Sequence, residues 1–179
     1  MALKIGIAGP VGSGKTSLIE SLTNLLKDKY SLAIVTNDIY TTEDANYLKE
    51  HLDLDSNRIT GVETGGCPHT AIRDDISMNQ KAVVELEQKF NPDIIFVESG
   101  GDNLSATFSY ELIDYYMYII DVAQGADIPR KKGAGLLFSD LLVVNKTDLA
   151  PYVDVDLDLM KSDVSNNRKN KPSVFISKK

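Results

Sequence analysis

The chain has 179 residues, of which 42% are hydrophobic and 25% charged, a composition that suits one globular domain with its own core. Its 26 acidic and 19 basic residues give a net charge of -7, which argues against nucleic-acid backbones and anionic membrane surfaces as partners. One cysteine excludes an internal disulfide framework, and no apolar run reaches the roughly 20 residues that span a bilayer, so we expect a cytoplasmic protein.

Short apolar segments alternate with helical patterns along the chain. The predicted strands are residues 3–8, 32–36, 58–62, 94–97, 116–121, 141–145 and 174–177. Helices are predicted for residues 16–27, 42–52 and 70–90, with Thr41 and Asp44 as capping residues of the second, and residues 161–171 are predicted to be a surface loop.

Strands that are apolar almost throughout are typical of parallel sheets covered on both faces. The alternation of strand and helix therefore predicts an α/β fold with a doubly wound, mainly parallel sheet flanked by helices. Residues 1–179 are expected to form a single domain, and we expect the final C-terminal helix of such a fold to be missing, because the last predicted strand lies close to the chain end.

The strongest motif is a complete G-x-x-x-x-G-K-[ST] pattern at residues 9–16, between a predicted strand and a predicted helix. Glycines allow backbone N–H groups to converge on phosphate oxygens, and the helix N-terminus adds partial positive charge. Lys15 is predicted to reach the β- and γ-phosphates, and the Thr16 hydroxyl to bind Mg²⁺. The alternative is an ordinary glycine turn. The predicted nucleotide-binding set is Gly9, Pro10, Val11, Gly12, Ser13, Gly14, Lys15, Thr16 and Ser17.

Three acidic residues, Asp38, Glu63 and Glu98, follow predicted strands. Because ligands collect at the carboxyl ends of parallel strands, we expect the three side chains to converge, although any one of them could instead be a solvated loop acid. Asp38 and Glu63 are predicted to bind Mg²⁺ with Thr16, and Asp38 and Glu98 to act in catalysis with Lys15.

Gly101 follows Glu98 in a Glu-Ser-Gly-Gly segment and is predicted to contact the γ-phosphate as part of a switch. No glutamine stands where it would orient a water molecule. We therefore expect slow hydrolysis unless a partner completes the site.

An N-K-x-D pattern, residues 145–148, follows a predicted strand. The Asp148 carboxylate can accept two hydrogen bonds from N1 and N2 of guanine, a donor pair that adenine lacks, and a mismatched acceptor costs about 1–3 kcal/mol. Lys146 is predicted to cover the base and Asn145 to brace the loop. The alternative is a helix cap that follows the strand.

Cys67 and His69 lie two residues apart and could bind a transition metal, although each is more often an ordinary core or polar residue. They supply two of the roughly four ligands of a closed site, and the other histidine, His51, lies in a polar segment. A two-fold dimer would supply two sulfur and two nitrogen ligands, which suits square-planar Ni²⁺ or tetrahedral Zn²⁺ as a competitor.

Five segments, residues 9–16, 36–44, 63–73, 98–101 and 145–152, together resemble the UreG family of urease accessory GTPases, which belong to the SIMIBI class of P-loop NTPases and are related to HypB. The resemblance extends from about residue 4 to residue 175. It implies a GTPase that delivers nickel to the urease apoprotein with the accessory proteins UreF, UreH (also called UreD) and UreE. It also implies that Cys67 and His69 bind nickel across a GTP-dependent homodimer.

Three other functions are compatible with parts of the pattern. A hydrogenase nickel-insertion GTPase of the HypB type shares the fold, but such proteins tend to carry Cys or His clusters near the N-terminus, and this sequence has none there. A small-metabolite kinase shares the phosphate loop, but most use ATP and have no need of an N-K-x-D segment. A metal-storage or scaffold protein would require neither Lys15 nor Asp148.

Overall fold

A computed structural model describes residues 1–39, 41–66, 68–101, 104–169 and 171–177. Within these ranges the strands are β1 (Leu3–Ala8), β2 (Leu32–Asp38), β3 (Ile59–Glu63), β4 (Ile94–Glu98), β5 (Tyr115–Asp121), β6 (Leu141–Asn145) and β7 (Ser173–Phe175). The helices are α1 (Lys15–Leu26), α2 (Glu43–His51), α3 (Pro68–Arg73), α4 (Ser77–Phe90), α5 (Ile128–Lys131), α6 (Ala134–Phe138) and α7 (Leu157–Arg168).

The strands form one sheet in the order β3-β2-β4-β1-β5-β6-β7, and every pairing in it is parallel. Strand order reverses on either side of β1, as expected for a doubly wound sheet. The carboxyl ends of β2, β4 and β1 are therefore adjacent, and those of β5 and β6 follow on the other side. This arrangement confirms the predicted fold class.

Helices cover both faces of the sheet. On one face, α1 and α2 pack through Ile19 and Leu48 onto strand residues such as Ile34. On the opposite face, α4 and α7 contribute buried residues, among them Leu86 and Val164, to a second core. Burial on both faces explains why the central strands are apolar at nearly every position.

The long helix predicted for residues 70–90 is wrong, because the chain breaks it into α3 and α4. The backbone N–H groups of Asp74 and Asp75 both donate to the Thr70 carbonyl and end α3. The Asp75 carboxylate then accepts from the N–H and the hydroxyl of Ser77, the first residue of α4. These local bonds of aspartate compete with a continuous helix.

The surface loop predicted for residues 161–171 is also wrong over most of its length, since α7 continues to Arg168. The Asp156 carboxylate begins this helix by accepting from the N–H groups of Asp158 and Leu159. Arg168 is buried at its end and donates to the carbonyls of Leu136, Ser139, Asp140 and Pro172. No helix among the described residues is long and apolar enough to cross a bilayer.

Candidate nucleotide-binding site

The loop between β1 and α1 has the shape of a phosphate cradle. Gly12 and Gly14 adopt positive φ values of 77° and 98°, a left-handed conformation that glycine adopts at little cost. Helix α1 starts directly after Gly14 with no side-chain cap and no acidic residue in its first turn. Its N-terminal N–H groups are therefore available to an anion.

Two other glycines lie close to neighbouring atoms, Gly9 to backbone and Gly101 to a side chain. A Cβ atom on Gly9 would lie 2.1 Å from the Ile119 carbonyl oxygen on β5, and one on Gly101 would lie 2.2 Å from Val11 Cγ2 in the loop. A cavity of about 540 Å³ opens at this edge of the sheet. Its lining residues are Val11, Gly12, Gly14, Lys15, Thr16, Ser17, Asp38, Asp44, Gly101 and Lys146.

Lys15 is the buried cation of this cavity, which Lys146 also lines. It is only 7% exposed, and its Nζ lies 3.4 Å from the Pro10 carbonyl oxygen, at the edge of hydrogen-bond range. An ammonium group with such a weak partner in a confined space is well placed to donate to phosphate oxygens, which are stronger acceptors.

A carboxylate cluster faces the first turn of α1. The Thr16 Oγ1 lies 2.8 Å from Glu98 Oε1 and 3.2 Å from Asp44 Oδ1, so one hydroxyl proton can serve only one carboxylate at a time. Glu98 is fully buried, and its Oε2 has no hydrogen-bond partner. Burial, together with the charges of Asp44 and Asp38, raises the pKa of Glu98 from 4.5 to about 8, although Lys15 and the Thr16 hydrogen bond oppose the rise.

The chemistry of this cluster fits a hard divalent cation such as Mg²⁺, which prefers hydroxyl, carboxylate and phosphate oxygens. The Thr16 hydroxyl oxygen and the unpartnered Glu98 oxygen are of that kind, and Asp38 and Asp44 border the same cavity. A cation here would also lower the energy of the ionised Glu98 carboxylate. No group of three or more His, Cys, Asp or Glu side chains within the described ranges could hold a metal by itself.

We predict that Glu98→Gln stabilises the nucleotide-free protein at pH 8. Wild-type Glu98 titrates near 4.5 when unfolded and near 8 when folded, so the folded state binds more protons between these values. Its free energy of unfolding therefore falls as pH rises through that window. The variant has no carboxyl group at this position and does not lose stability in this pH range. Its free energy of unfolding should exceed that of wild type by on the order of 2–4 kcal/mol at pH 8, with little difference near pH 4.5.

Urea unfolding in a chelating buffer measures this difference. Glu85→Gln, which alters an exposed partner of Lys81 on α4, is the matched control and should show no pH-dependent gain. Equal stabilities of wild type and Glu98→Gln at pH 8 would show that Glu98 is not held in a costly charged state.

The two other predicted carboxylates occupy different places. Asp38 ends β2 beside the phosphate cavity, and its oxygens accept from the Ile39 N–H and the Thr41 hydroxyl. Glu63 lies opposite Asp38 in the β2–β3 register, but it is exposed and borders a separate groove with Lys81. The structure therefore brings Asp38 and Glu98 to the phosphate loop and does not bring Glu63 there.

The N-K-x-D segment contacts the phosphate loop directly. Asn145 Nδ2 donates to the Ser13 carbonyl oxygen at 3.0 Å, and Lys146 Nζ donates to the Gly12 carbonyl oxygen at 2.6 Å. Asn145 also borders a second cavity of about 190 Å³ with Ser17, Leu18, Ser21, Ile176 and Ser177. Asp148 lies nearby on an exposed 3-10 turn, Thr147–Tyr152.

Two functional residues of this edge were missed by sequence reasoning. Asp44 on α2 reaches Thr16, and Asp121 at the end of β5 forms an ion pair of 3.1 Å with Lys146 Nζ. Asp121 carried a usable signal, because it ends an apolar strand as Glu98 does. Asp44 had no sequence signal beyond its predicted place as a capping residue of the second predicted helix.

The predicted metal pair is only partly described. Cys67 lies outside the described residues. His69 lies on α3, half-buried, with its Nε2 3.2 Å from Ser105 Oγ. The structure therefore places the histidine on a short helix next to the 104–114 segment.

The parallel sheet and the phosphate loop define a P-loop nucleotide-binding protein. The family described as CobW/HypB/UreG, nucleotide-binding domain, matches residues 3–175. The chain is 88% identical over 179 residues to the urease accessory protein UreG of Aliarcobacter butzleri (strain RM4018), covering 100% of this chain and 92% of that protein. It is 60% identical over 174 residues to UreG of Lysinibacillus sphaericus (strain C3-41), covering 97% and 83%. The chain therefore belongs to the CobW/HypB/UreG family and, within it, to the UreG urease accessory proteins.

Solved structures of hydrogenase maturation factors share the fold. HypB from Helicobacter pylori, in complex with nickel, superposes with a TM-score of 0.79 at 22% identity, covering 98% of this chain and 79% of that one. HypB from Archaeoglobus fulgidus gives a TM-score of 0.76 at 22% identity, with coverage of 98% and 81%. Since the identity to HypB is low and the identity to UreG is high, the HypB-type alternative is not favoured.

Proposed function

We propose that this chain is a GTP-binding and GTP-hydrolysing nickel metallochaperone that delivers nickel during maturation of the urease active site. The observation that carries the proposal is the Thr16–Glu98 hydrogen bond beside a phosphate cradle, in a chain 88% identical to a urease accessory protein. Binding of GTP and nickel is proposed to join two copies of the chain into a homodimer.

Guanine selection is assigned to Asp148. Its exposed carboxylate stands three residues after Asn145, which borders the second cavity. The Thr147 N–H donates to the Ile176 carbonyl oxygen, which ties the turn that carries Asp148 to the other wall of that cavity. Lys146, held by Asp121 and by the Gly12 carbonyl, links the base side of the site to the phosphate loop.

The hydrolytic roles fall to three residues. Lys15 is proposed to bind the β- and γ-phosphates and to stabilise charge that develops on the γ-phosphate oxygens. Glu98 is proposed to orient the hydroxyl of Thr16, and Asp38 to orient water at this edge of the sheet. Mg²⁺, when bound by Thr16, Asp38 and Glu98, supplies charge neutralisation for the phosphates. Hydrolysis is expected to be slow until a partner contributes further groups.

Nickel is the proposed cargo, bound by Cys67 and His69 of both subunits. Ligand number supports this assignment, because one chain offers two ligands and a closed site needs about four. Zn²⁺ is expected to compete, since two thiolates and two imidazoles also suit a tetrahedral ion. The proposed partners are the urease apoprotein, UreF, UreH/UreD and UreE, in the cytoplasm.

The two histidines allow a matched test of this function. We predict that His69→Ala lowers activation of apo-urease by at least about tenfold, in an assay with nickel, GTP and the accessory proteins, because a site with two missing nitrogens loses affinity. His51→Ala, which alters an exposed ring stacked on Tyr47, should keep wild-type activation. Equal activation by both variants would remove His69 from the nickel site.

A further inference from the structure

Two buried asparagine side chains form a reciprocal pair beneath the phosphate site. Asn37 Nδ2 donates to Asn79 Oδ1 at 2.8 Å, and Asn79 Nδ2 donates to Asn37 Oδ1 at 2.8 Å. Asn37 is 1% exposed and Asn79 is 0% exposed. The pair joins β2 to α4 across 42 residues of sequence.

The second N–H of each amide donates to a backbone carbonyl. Asn37 donates to the Glu98 carbonyl oxygen at 2.9 Å, and Asn79 donates to the Ala71 carbonyl oxygen at 2.9 Å. All four amide N–H groups are therefore used, each in one hydrogen bond. A fully satisfied polar network of this kind fixes one arrangement of the groups that it joins.

The groups that it joins belong to two different sites. Asn37 directly precedes Asp38, and the Glu98 carbonyl belongs to the residue whose carboxylate meets Thr16. Ala71 lies on α3, two residues after His69. The two amides therefore form a hydrogen-bonded path from the ends of β2 and β4 to α3.

A structural role alone explains the pair less well. Core positions between a strand and a helix are filled at lower cost by aliphatic residues, which need no partners. Here the surrounding core is aliphatic, with Val35, Val83 and Ile72 in the same cluster. The polar pair lies where β2 and α4 meet the end of β4 and α3, the helix of His69.

We propose that Asn79, through its amide pair with Asn37, is a positioning residue. It makes the metal affinity of the proposed site of Cys67 and His69 depend on the bound nucleotide. This inference rests on the proposed function, because it requires that the chain bind both a guanine nucleotide and nickel. Asn79 acts without contacting either ligand, by fixing the position of α3 relative to the ends of β2 and β4.

The test measures the ratio of two nickel affinities by titration calorimetry. Ni²⁺ is titrated in the presence of Mg²⁺ with either a non-hydrolysable GTP analogue or GDP at saturation. The wild-type ratio is expected to be at least tenfold, within the usual range of allosteric coupling, about 5- to 150-fold. In Asn79→Ala and in Asn37→Leu/Asn79→Leu it should fall below about threefold, with affinity for the GTP analogue alone within about threefold of wild type.

The double variant guards against misfolding, because replacing both amides by leucines of similar shape leaves no unpaired side-chain amide in the core and removes a donor only from the Glu98 and Ala71 carbonyls. Asn167→Ala is the matched control, since this amide also donates to two backbone carbonyls, those of Pro129 and Asp163, far from the site. It should keep the wild-type ratio.

Each remaining outcome contradicts the inference in a recognisable way. A folded variant that keeps the wild-type ratio shows that the pair carries no coupling. Equal loss of nucleotide and nickel binding, or failure of both variants to fold, assigns the pair to core stability alone. A wild-type ratio of one contradicts the nucleotide-dependent nickel binding in the proposed function, and the inference falls with it.

Discussion

Replacing Lys15 with alanine is expected to weaken binding of GTP by about 100-fold, equivalent to about 3 kcal/mol, and to remove hydrolysis. The Lys15 ammonium is buried in the phosphate cavity and has one weak carbonyl partner, so its charge is free to serve the ligand. Its loss leaves the β- and γ-phosphates in a cavity that also contains the carboxylates of Asp38 and Asp44. Repulsion between these anions adds to the missing hydrogen bonds.

Titration of a fluorescent GTP analogue in the presence of Mg²⁺ measures this effect. Lys27→Ala is the control, because Lys27 follows α1 and pairs with exposed Asp53, outside the cavity. A circular dichroism spectrum checks that Lys15→Ala remains folded, because the Lys15 charge also acts on buried Glu98. Unchanged GTP affinity in a folded Lys15→Ala protein would show that the nucleotide binds elsewhere.

Asp148→Asn is expected to reverse the choice of base. The carboxylate accepts from N1–H and N2–H of guanine, whereas an amide can accept from N1–H and donate to the O2 of xanthine. Sites built on such paired hydrogen bonds discriminate strongly, because a mismatch leaves buried polar groups unpaired. We predict that the ratio of GTP affinity to XTP affinity falls by at least about 100-fold.

Parallel titrations with GTP and XTP measure the reversal. Asp158→Asn, which alters an exposed partner of Lys161 on α7, should leave the preference for GTP unchanged. If Asp148→Asn binds GTP as tightly as wild type, Asp148 does not contact the base, and guanine selection must be assigned to another residue.

The sheet was predictable because its strands are continuous apolar runs, such as residues 3–8 and 141–145, whose bounds match β1 and β6. Helix α7 was not, since only Met160 and Val164 mark its buried face and Arg168 completes it as a buried cation. That burial depends on carbonyls of α6 and the residues that follow it, which no local pattern reveals. The break between α3 and α4 was hidden because no glycine or proline marks it. Backbone N–H groups of Asp74 and Asp75 end α3, and the Asp75 side chain bonds to the start of α4.

The phosphate loop was predictable because its residues are contiguous, and their backbone geometry follows from glycine. Glu63 was expected to converge with Asp38 and Glu98 at the phosphate loop because it also follows a strand. The sheet order explains its actual position, since β3 lies three strands from β1, or roughly 14 Å at the usual strand spacing. Asp44 and Asn79 act on partners 28 and 42 residues away and carry no local signal. Asp121 acts on a partner 25 residues away and is marked only by its place at the end of an apolar strand.

The most direct test of the central claim is the mass of the protein in solution with Ni²⁺ and either a non-hydrolysable GTP analogue or GDP. Light scattering with metal analysis should show a homodimer with one nickel per two chains in the triphosphate state, and a monomer of 19.7 kDa with GDP. A monomer that binds one nickel with the triphosphate, or the same dimer with either nucleotide, would contradict a metal site assembled across two subunits under the control of GTP.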